Sequence, residues 1–232
     1  MKIKHGMILA AGLGKRMQPL TSKKPKPLLE IGGITLLERA INLLTNHGVE
    51  EISINIHYLG HQIEKFISNF KSHVKIKISN EKNLLLDTGG GVKKATKEFK
   101  DNPFFVINPD TLWSNNYYEE VQSLEKEYLN NKKPCLLLVK KELSLDNSFE
   151  GDFNLNNSLV SKNQNNLYIY TGLQIIESGH LDFFDKDIFS MNDVWTKLIS
   201  ENNLTGIESN QKFYHLNTLE MFEKISSLNT ID

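Results

Sequence analysis

A chain of 232 residues can bury a proper core in one domain and needs no disulfide or metal staple. Its 27 basic and 28 acidic side chains leave a formal net charge of -1, which excludes a global pull toward nucleic acid or an anionic membrane, so any phosphate-binding charge must be local. The single cysteine, Cys135, excludes an internal disulfide framework; it lies in the apolar run Pro134 to Val139 and reads as a buried small hydrophobe of a soluble, cytoplasmic protein.

Met7 to Ala11 reads as a short buried strand running into glycine. Thr35-Leu36-Leu37-Glu38 has the spacing of a capping box, so an amphipathic helix is expected from there to a stop at Gly48. Glu51 to Ile56 alternates as a strand, and Gly60 to Phe70 sets Ile63, Phe66, Ile67 and Phe70 at helical spacing. Val74 to Ile78 alternates again, Gly91 to Phe99 is helical in pattern, and Phe104 to Ile107 is a continuous apolar run. Beyond the apolar stretch Cys135 to Lys140, the segment from Ser144 to Asn166 is rich in Asn, Ser, Asp and Gly and predicts hairpins and turns. Tyr168 to Ile176 predicts a strand, and helices are expected over Asp193 to Glu201 and Thr218 to Leu228.

Strands separated by helices of this length imply right-handed crossovers and an α/β fold with a mostly parallel central sheet in one domain. Ligands of such sheets sit outside the carboxyl ends of the strands. Three polar loops follow predicted strands: the one after Ala11, the segment Asp87 to Gly91, and Asn108-Pro109-Asp110. They are expected to converge.

The first of these loops carries the densest signal. In Leu9 to Leu20, small residues and the glycines Gly12 and Gly14 let backbone amides approach a ligand closely, as phosphate cradles require. Arg16 offers a bidentate donor and Lys15 a flexible positive charge. A P-loop would need glycine where Leu9 stands and Ser or Thr where Arg16 stands, and the dinucleotide fingerprint would need glycine at Met17. Downstream, Pro25 and Pro27 bracket Lys26 and restrict the backbone on both sides of it, which holds one lysine in place.

Taken together, Leu9-Ala10-Ala11-Gly12, Gly14, Arg16-Met17, Pro19-Leu20-Thr21 and the run Lys24 to Leu28 resemble the signature of the sugar-1-phosphate nucleotidyltransferases. Within that family, Asp87 to Gly91, Gly151-Asp152-Phe153 and the short length look most like the enzymes that uridylylate N-acetylmuramate 1-phosphate. The resemblance is strong to about residue 115 and fragmentary after it, so 1–115 would be the nucleotide-binding half and 116–232 the sugar-phosphate side.

The resemblance implies a Rossmann-like nucleotidyltransferase fold and two substrates, a nucleoside triphosphate (UTP) and a sugar 1-phosphate. Leu9, Ala10, Ala11, Gly12, Gly14 and Lys15 would hold the nucleotide, with Thr88 and Gly89 reading the base edge. Arg16, Lys26 and Asp110 would be catalytic, and Asn108, Gly151, Asp152, Thr171 and Gly172 would face the sugar phosphate. Asp110 would also bind Mg2+. The second metal ligand of the family, an aspartate, aligns with His215, a poorer partner for hard magnesium that leaves open magnesium held by one protein ligand and waters, a shift to manganese or another metal, or lost activity. Pro109 and Asn217 also stand where the family has glycine. Guanylyl transfer to mannose or heptose 1-phosphate, cytidylyl transfer to phosphocholine, and a non-catalytic nucleotide-binding relative are the competing readings.

Overall fold

The structure is a computed structural model that describes residues 2–228. In chain order its elements begin with β1 (His5–Leu9), a small hairpin β2 (Glu30–Ile31) and β3 (Ile34–Thr35), then α1 (Leu36–His47), β4 (Glu51–Ile56) and α2 (Gly60–Asn69). There follow β5 (Lys75–Asn80), α3 (Asp87–Ala95), β6 (Phe104–Ile107), α4 (Tyr118–Asn131) and β7 (Cys135–Lys140). The last part holds β8 (Asn154–Asn156), β9 (Leu159–Ser161), β10 (Tyr168–Ile176), α5 (Met191–Ser200), β11 (Thr205–Ser209) and α6 (Leu219–Ser226).

Local chemistry explains the boundaries. The Thr35 hydroxyl accepts from the Glu38 amide and caps α1, and Gly48 ends it in the left-handed region at φ 108°. The β8–β9 turn places Asn157 and Ser158 at positive φ, the requirement of a tight two-residue hairpin.

The large sheet runs β5-β4-β1-β6-β10-β7-β11-β9-β8. Strands β5, β4, β1 and β6 are mutually parallel, and β7 and β11 form a second parallel pair. Between them β10 lies antiparallel to both β6 and β7, so both parallel groups point the same way. Alternate residues of one strand feed two cores. Phe105 and Ile107 of β6 pack with α1 and α4, whereas Phe104 and Val106 pack with Val92 of α3 and Val194 and Leu198 of α5. Helices thus cover both faces, and the open end of the parallel strands is their carboxyl edge.

Two features depart from the sequence expectations. The segment Asp87 to Gly91 is the first turn of α3 rather than a loop, and the expected helix to Phe99 breaks into a separate turn at Lys97–Phe99. Helix α4 and strand β11 stand where the sequence pattern assigns no element. No described helix is long and apolar enough to cross a membrane.

Candidate active site

β1 delivers its loop to the carboxyl edge of the sheet. Gly14 turns the chain at φ 63°, and its carbonyl accepts from the Met17 amide at 3.0 Å and the Thr21 hydroxyl at 2.7 Å. Among the described residues, the amides of Gly12, Leu13 and Gly14 have no protein acceptor, which leaves a row of donors suited to phosphate oxygens. The Ala10 amide is different: it donates to Asn55 Oδ1 at 2.8 Å.

β6, the neighbour of β1, ends at Ile107 and hands over to Asn108-Pro109-Asp110. The Asn108 amide donates to the Gly172 carbonyl and its own carbonyl accepts from the Trp113 indole, which fixes the loop. Lys26 reaches the same place from a short turn at Lys26–Leu28 that Pro25 leads into with extended backbone. Its ammonium donates to Asp110 Oδ2 at 2.6 Å, with the side chains only 14% and 24% exposed. The C-terminal segment runs alongside: Thr111 bridges His215, the Leu112 amide donates to the Tyr214 carbonyl, and the Leu216 amide donates to that of Asp110. His215 Nε2 then lies 3.3 Å from Asp110 Oδ2, and the imidazole packs against the rings of Phe149 and Phe213, which also touch each other.

Burial alone would raise the Asp110 pKa. The charges and hydrogen bonds of Lys26 and His215 outweigh it and hold this carboxyl well below the usual carboxylate range. The Asp110 carboxyl is therefore ionised at neutral pH. Burial, then the Asp110 charge, pushes the Tyr170 hydroxyl well above its ordinary value. Asp110 Oδ1, Tyr170 Oη, His215 Nδ1 and Asn217 Oδ1 are all buried with no partner among the described residues. Buried polar atoms are rarely left so, and Asp110 Oδ1 offers one hard oxygen of the kind that divalent cations take beside substrate phosphates. Among the described residues, no three His, Cys, Asp or Glu side chains cluster as a metal site.

One cavity of about 660 Å³ connects these parts. It is lined by Leu9, Ala10, Ala11, Gly12, Gly14, Lys15 and Arg16 of the first loop, by Lys26, by Thr88, and by Asn108 and Asp110. The three predicted loops do converge. Gly89 does not line the cavity: its amide donates to the Phe189 carbonyl at 2.9 Å, and a side chain there would meet the Phe189 ring. Thr88 remains on the wall, with its hydroxyl accepting from the Met191 amide.

The sugar-side expectations fare less evenly. Gly151, Asp152, Thr171 and Gly172 are not on the cavity wall. Asp152 accepts from the Tyr170 amide at 2.9 Å, and Thr171, 1% exposed, donates to the Leu137 carbonyl. Gly172, at φ 95° in the irregular stretch of β10, lets that strand approach Asn108, where a Cβ would stand 3.0 Å from the Asn108 Cβ. Thr171 and Gly172 hold the loop that carries Asp110: the Thr171 carbonyl accepts from the Thr111 hydroxyl and the Gly172 carbonyl from the Asn108 amide.

Four residues join the site that the sequence pattern does not single out. Asn55 lines the cavity from the end of β4, with Glu81 behind it. Tyr170 contributes its unpartnered hydroxyl. Asp146 accepts from the Asn217 amide group at 2.9 Å; burial would raise its pKa, but bonds from Ser148 and Asn217, with His215 nearby, outweigh that and lower it. Buried polar residues on strands give no signal in a hydrophobic pattern, and Asp146 sits in a stretch that reads only as turns.

The sequence matches the nucleotidyl transferase family over residues 5–143. The chain belongs to that family and is a nucleotidyltransferase. It is 29% identical over 221 residues to the N-acetylmuramate alpha-1-phosphate uridylyltransferase of Caulobacter vibrioides, covering 92% of this chain and 91% of that protein. It is 42% identical over 107 residues to the enzyme of the same name from Neisseria meningitidis serogroup B, covering 46% of each. The fold is similar to that of HddC from Yersinia pseudotuberculosis complexed with GMP-PN, with a TM-score of 0.76 at 22% identity over 97% of this chain and 98% of that one.

Removing the ammonium that meets Asp110 should act on turnover. Lys26→Ala is expected to slow nucleotidyl transfer at least about tenfold, roughly 1.4 kcal/mol of barrier, in an assay of pyrophosphate release. Unchanged turnover would take Lys26 out of the chemistry.

Proposed function

We propose that this nucleotidyltransferase moves a nucleotidyl group from UTP to a sugar 1-phosphate, N-acetylmuramate 1-phosphate, and releases pyrophosphate. One observation carries the reading: a single cavity holds both the free amides of Gly12 to Gly14 and the Lys26–Asp110 pair. Donors for a triphosphate and a charge pair at the reacting phosphorus are what this transfer needs. The two relatives, both N-acetylmuramate alpha-1-phosphate uridylyltransferases, supply the choice of UTP and N-acetylmuramate 1-phosphate.

In this reaction an oxygen of the sugar phosphate bonds to the α-phosphorus as the bond from that phosphorus to the bridging oxygen breaks, and pyrophosphate leaves with the electron pair. The nucleophile is already an anion, so no general base is required. Positioning and charge neutralisation do the catalysis. The amides of Gly12 to Gly14 take phosphate oxygens; Arg16, exposed on the cavity rim, takes the leaving pyrophosphate; Lys26 sits at the reacting phosphorus. Asp110 Oδ1 would hold Mg2+, which when bound neutralises phosphate charge.

A second reading, nucleotide binding without catalysis, is favoured by His215, which in this structure contacts Asp110 Oδ2 where a second acidic ligand would stand. A matrix of the four triphosphates against N-acetylmuramate, mannose and heptose 1-phosphates and phosphocholine, with Mg2+ or Mn2+, separates the two. Pyrophosphate release is expected to be fastest with UTP and N-acetylmuramate 1-phosphate. Release confined to another pair would replace the substrates, and binding without release from any pair would establish the second reading. His215→Asp is expected to tighten Mg2+ binding several-fold by calorimetry, since a carboxylate suits the ion better than imidazole. Unchanged affinity and rate would place His215 off the metal.

A further inference from the structure

The end of β1 is held by a buried hydrogen-bond chain that the phosphate loop itself does not explain. The Ala10 amide donates to Asn55 Oδ1 at 2.8 Å, Asn55 Nδ2 donates to Glu81 Oε1 at 2.7 Å, and the Leu86 amide donates to Glu81 Oε2 at 3.0 Å. Asn55 is 2% exposed and Glu81 1%. The chain links the carboxyl ends of three neighbouring parallel strands to the start of α3: Ala10 follows β1, Asn55 closes on the end of β4, and Glu81 follows β5. Gly91 of α3 makes the room, since a Cβ there would stand 2.7 Å from Asn55 Nδ2 and 2.9 Å from Glu81 Oε1.

A buried carboxylate with no basic partner is costly, by several kcal/mol before its hydrogen bonds are counted. What it supplies here is direction. A carboxylate only accepts, so Glu81 compels the Asn55 NH2 to face it and the Asn55 oxygen to face Ala10. The Ala10 amide is thereby committed inward. Beyond it the loop carries its free donors, those of Gly12 to Gly14 among them, and lines the cavity that Asn55 also lines.

We propose that Asn55 and Glu81 are positioning residues for the nucleotide: they fix which amides of the first loop point at the triphosphate. The proposal rests on the reading of that cavity as a nucleoside triphosphate site. The test exchanges the donor and acceptor of the pair. Asn55→Asp sets a carboxylate against Glu81, and Glu81→Gln turns an NH2 toward another donor, so each single variant breaks the chain. Combined, the two substitutions restore it with the polarity reversed. The new amide donates to the new carboxylate and accepts from Leu86, and the carboxylate still accepts from Ala10.

Calorimetric titration with UTP, beside thermal melts and the KM for the sugar phosphate, reads the outcome. Each single variant is expected to weaken UTP binding at least about tenfold and leave the sugar-phosphate KM within about threefold, and the double variant to recover UTP binding to within about threefold of wild type. Single variants that melt earlier yet bind UTP normally would overturn the proposal, as would a folded double variant no better than the singles. If the single variants do not fold, amide hydrogen exchange on the wild type decides. Ala10 should exchange far more slowly than Gly12 to Gly14 without nucleotide, and equal exchange would overturn the proposal. A wild type that binds no triphosphate refutes the nucleotide reading itself, whereas binding that the variants leave unchanged refutes only the positioning role.

Discussion

The contact between Lys26 and Asp110 joins groups 84 residues apart, and the remainder of the site is arranged so that the two can meet. Both side chains are largely withdrawn from water, so each is a liability without the other. Pro25 and Pro27 stiffen the chain on either side of the lysine. The aspartate stands beyond the end of β6, in a loop anchored by Gly172, Trp113 and the neighbouring C-terminal segment. Held this way, the pair fixes a positive and a negative charge in the cavity, beside a row of unpaired amides.

That geometry depends on strand direction. β4, β1 and β6 end on one edge of the sheet, so Asn55, the Ala10–Arg16 loop and Asp110 emerge side by side. Covering both faces with helices leaves this edge as the place for a polar ligand. The reversed strand β10 adds a different service. Its irregular stretch at Gly172 lets the Asp110 loop close against the sheet, and it carries the Tyr170 hydroxyl beneath that loop.

Much of this was legible in the sequence because the signals were local. The Thr35 cap, the Gly48 stop, the apolar run of β6 and the proline-bracketed Lys26 each act through neighbours in the chain. Tertiary signals were harder. In Glu51 to Ile56 the alternation reads as a strand but does not tell that its polar residues Ser53 and Asn55 are buried, Asn55 against Gly91 of α3. Helix α4 hides its apolar stripe among glutamates, and two of these, Glu120 and Glu125, are buried because distant groups satisfy them: Ser209 and Asn210 for one, the Ile3 amide for the other. Thr171 and Asp152 looked available to a ligand only because their partners, Leu137 and Tyr170, lie across strand pairings that sequence spacing does not reveal. Asn55 and Glu81 give no signal for the same reason, since their polar groups are satisfied inside the protein.

The most direct measurement of the central claim, that this edge binds a triphosphate through backbone donors beside the charge pair, is an amide NMR titration with a non-hydrolysable UTP analogue. The largest shifts are expected at Gly12, Leu13 and Gly14, moving as amides do on gaining a charged acceptor, with Ala10 nearly unmoved. Shifts centred instead on the second, lysine-lined groove around Lys94, Lys97 and Lys100, with the first loop silent, would contradict it.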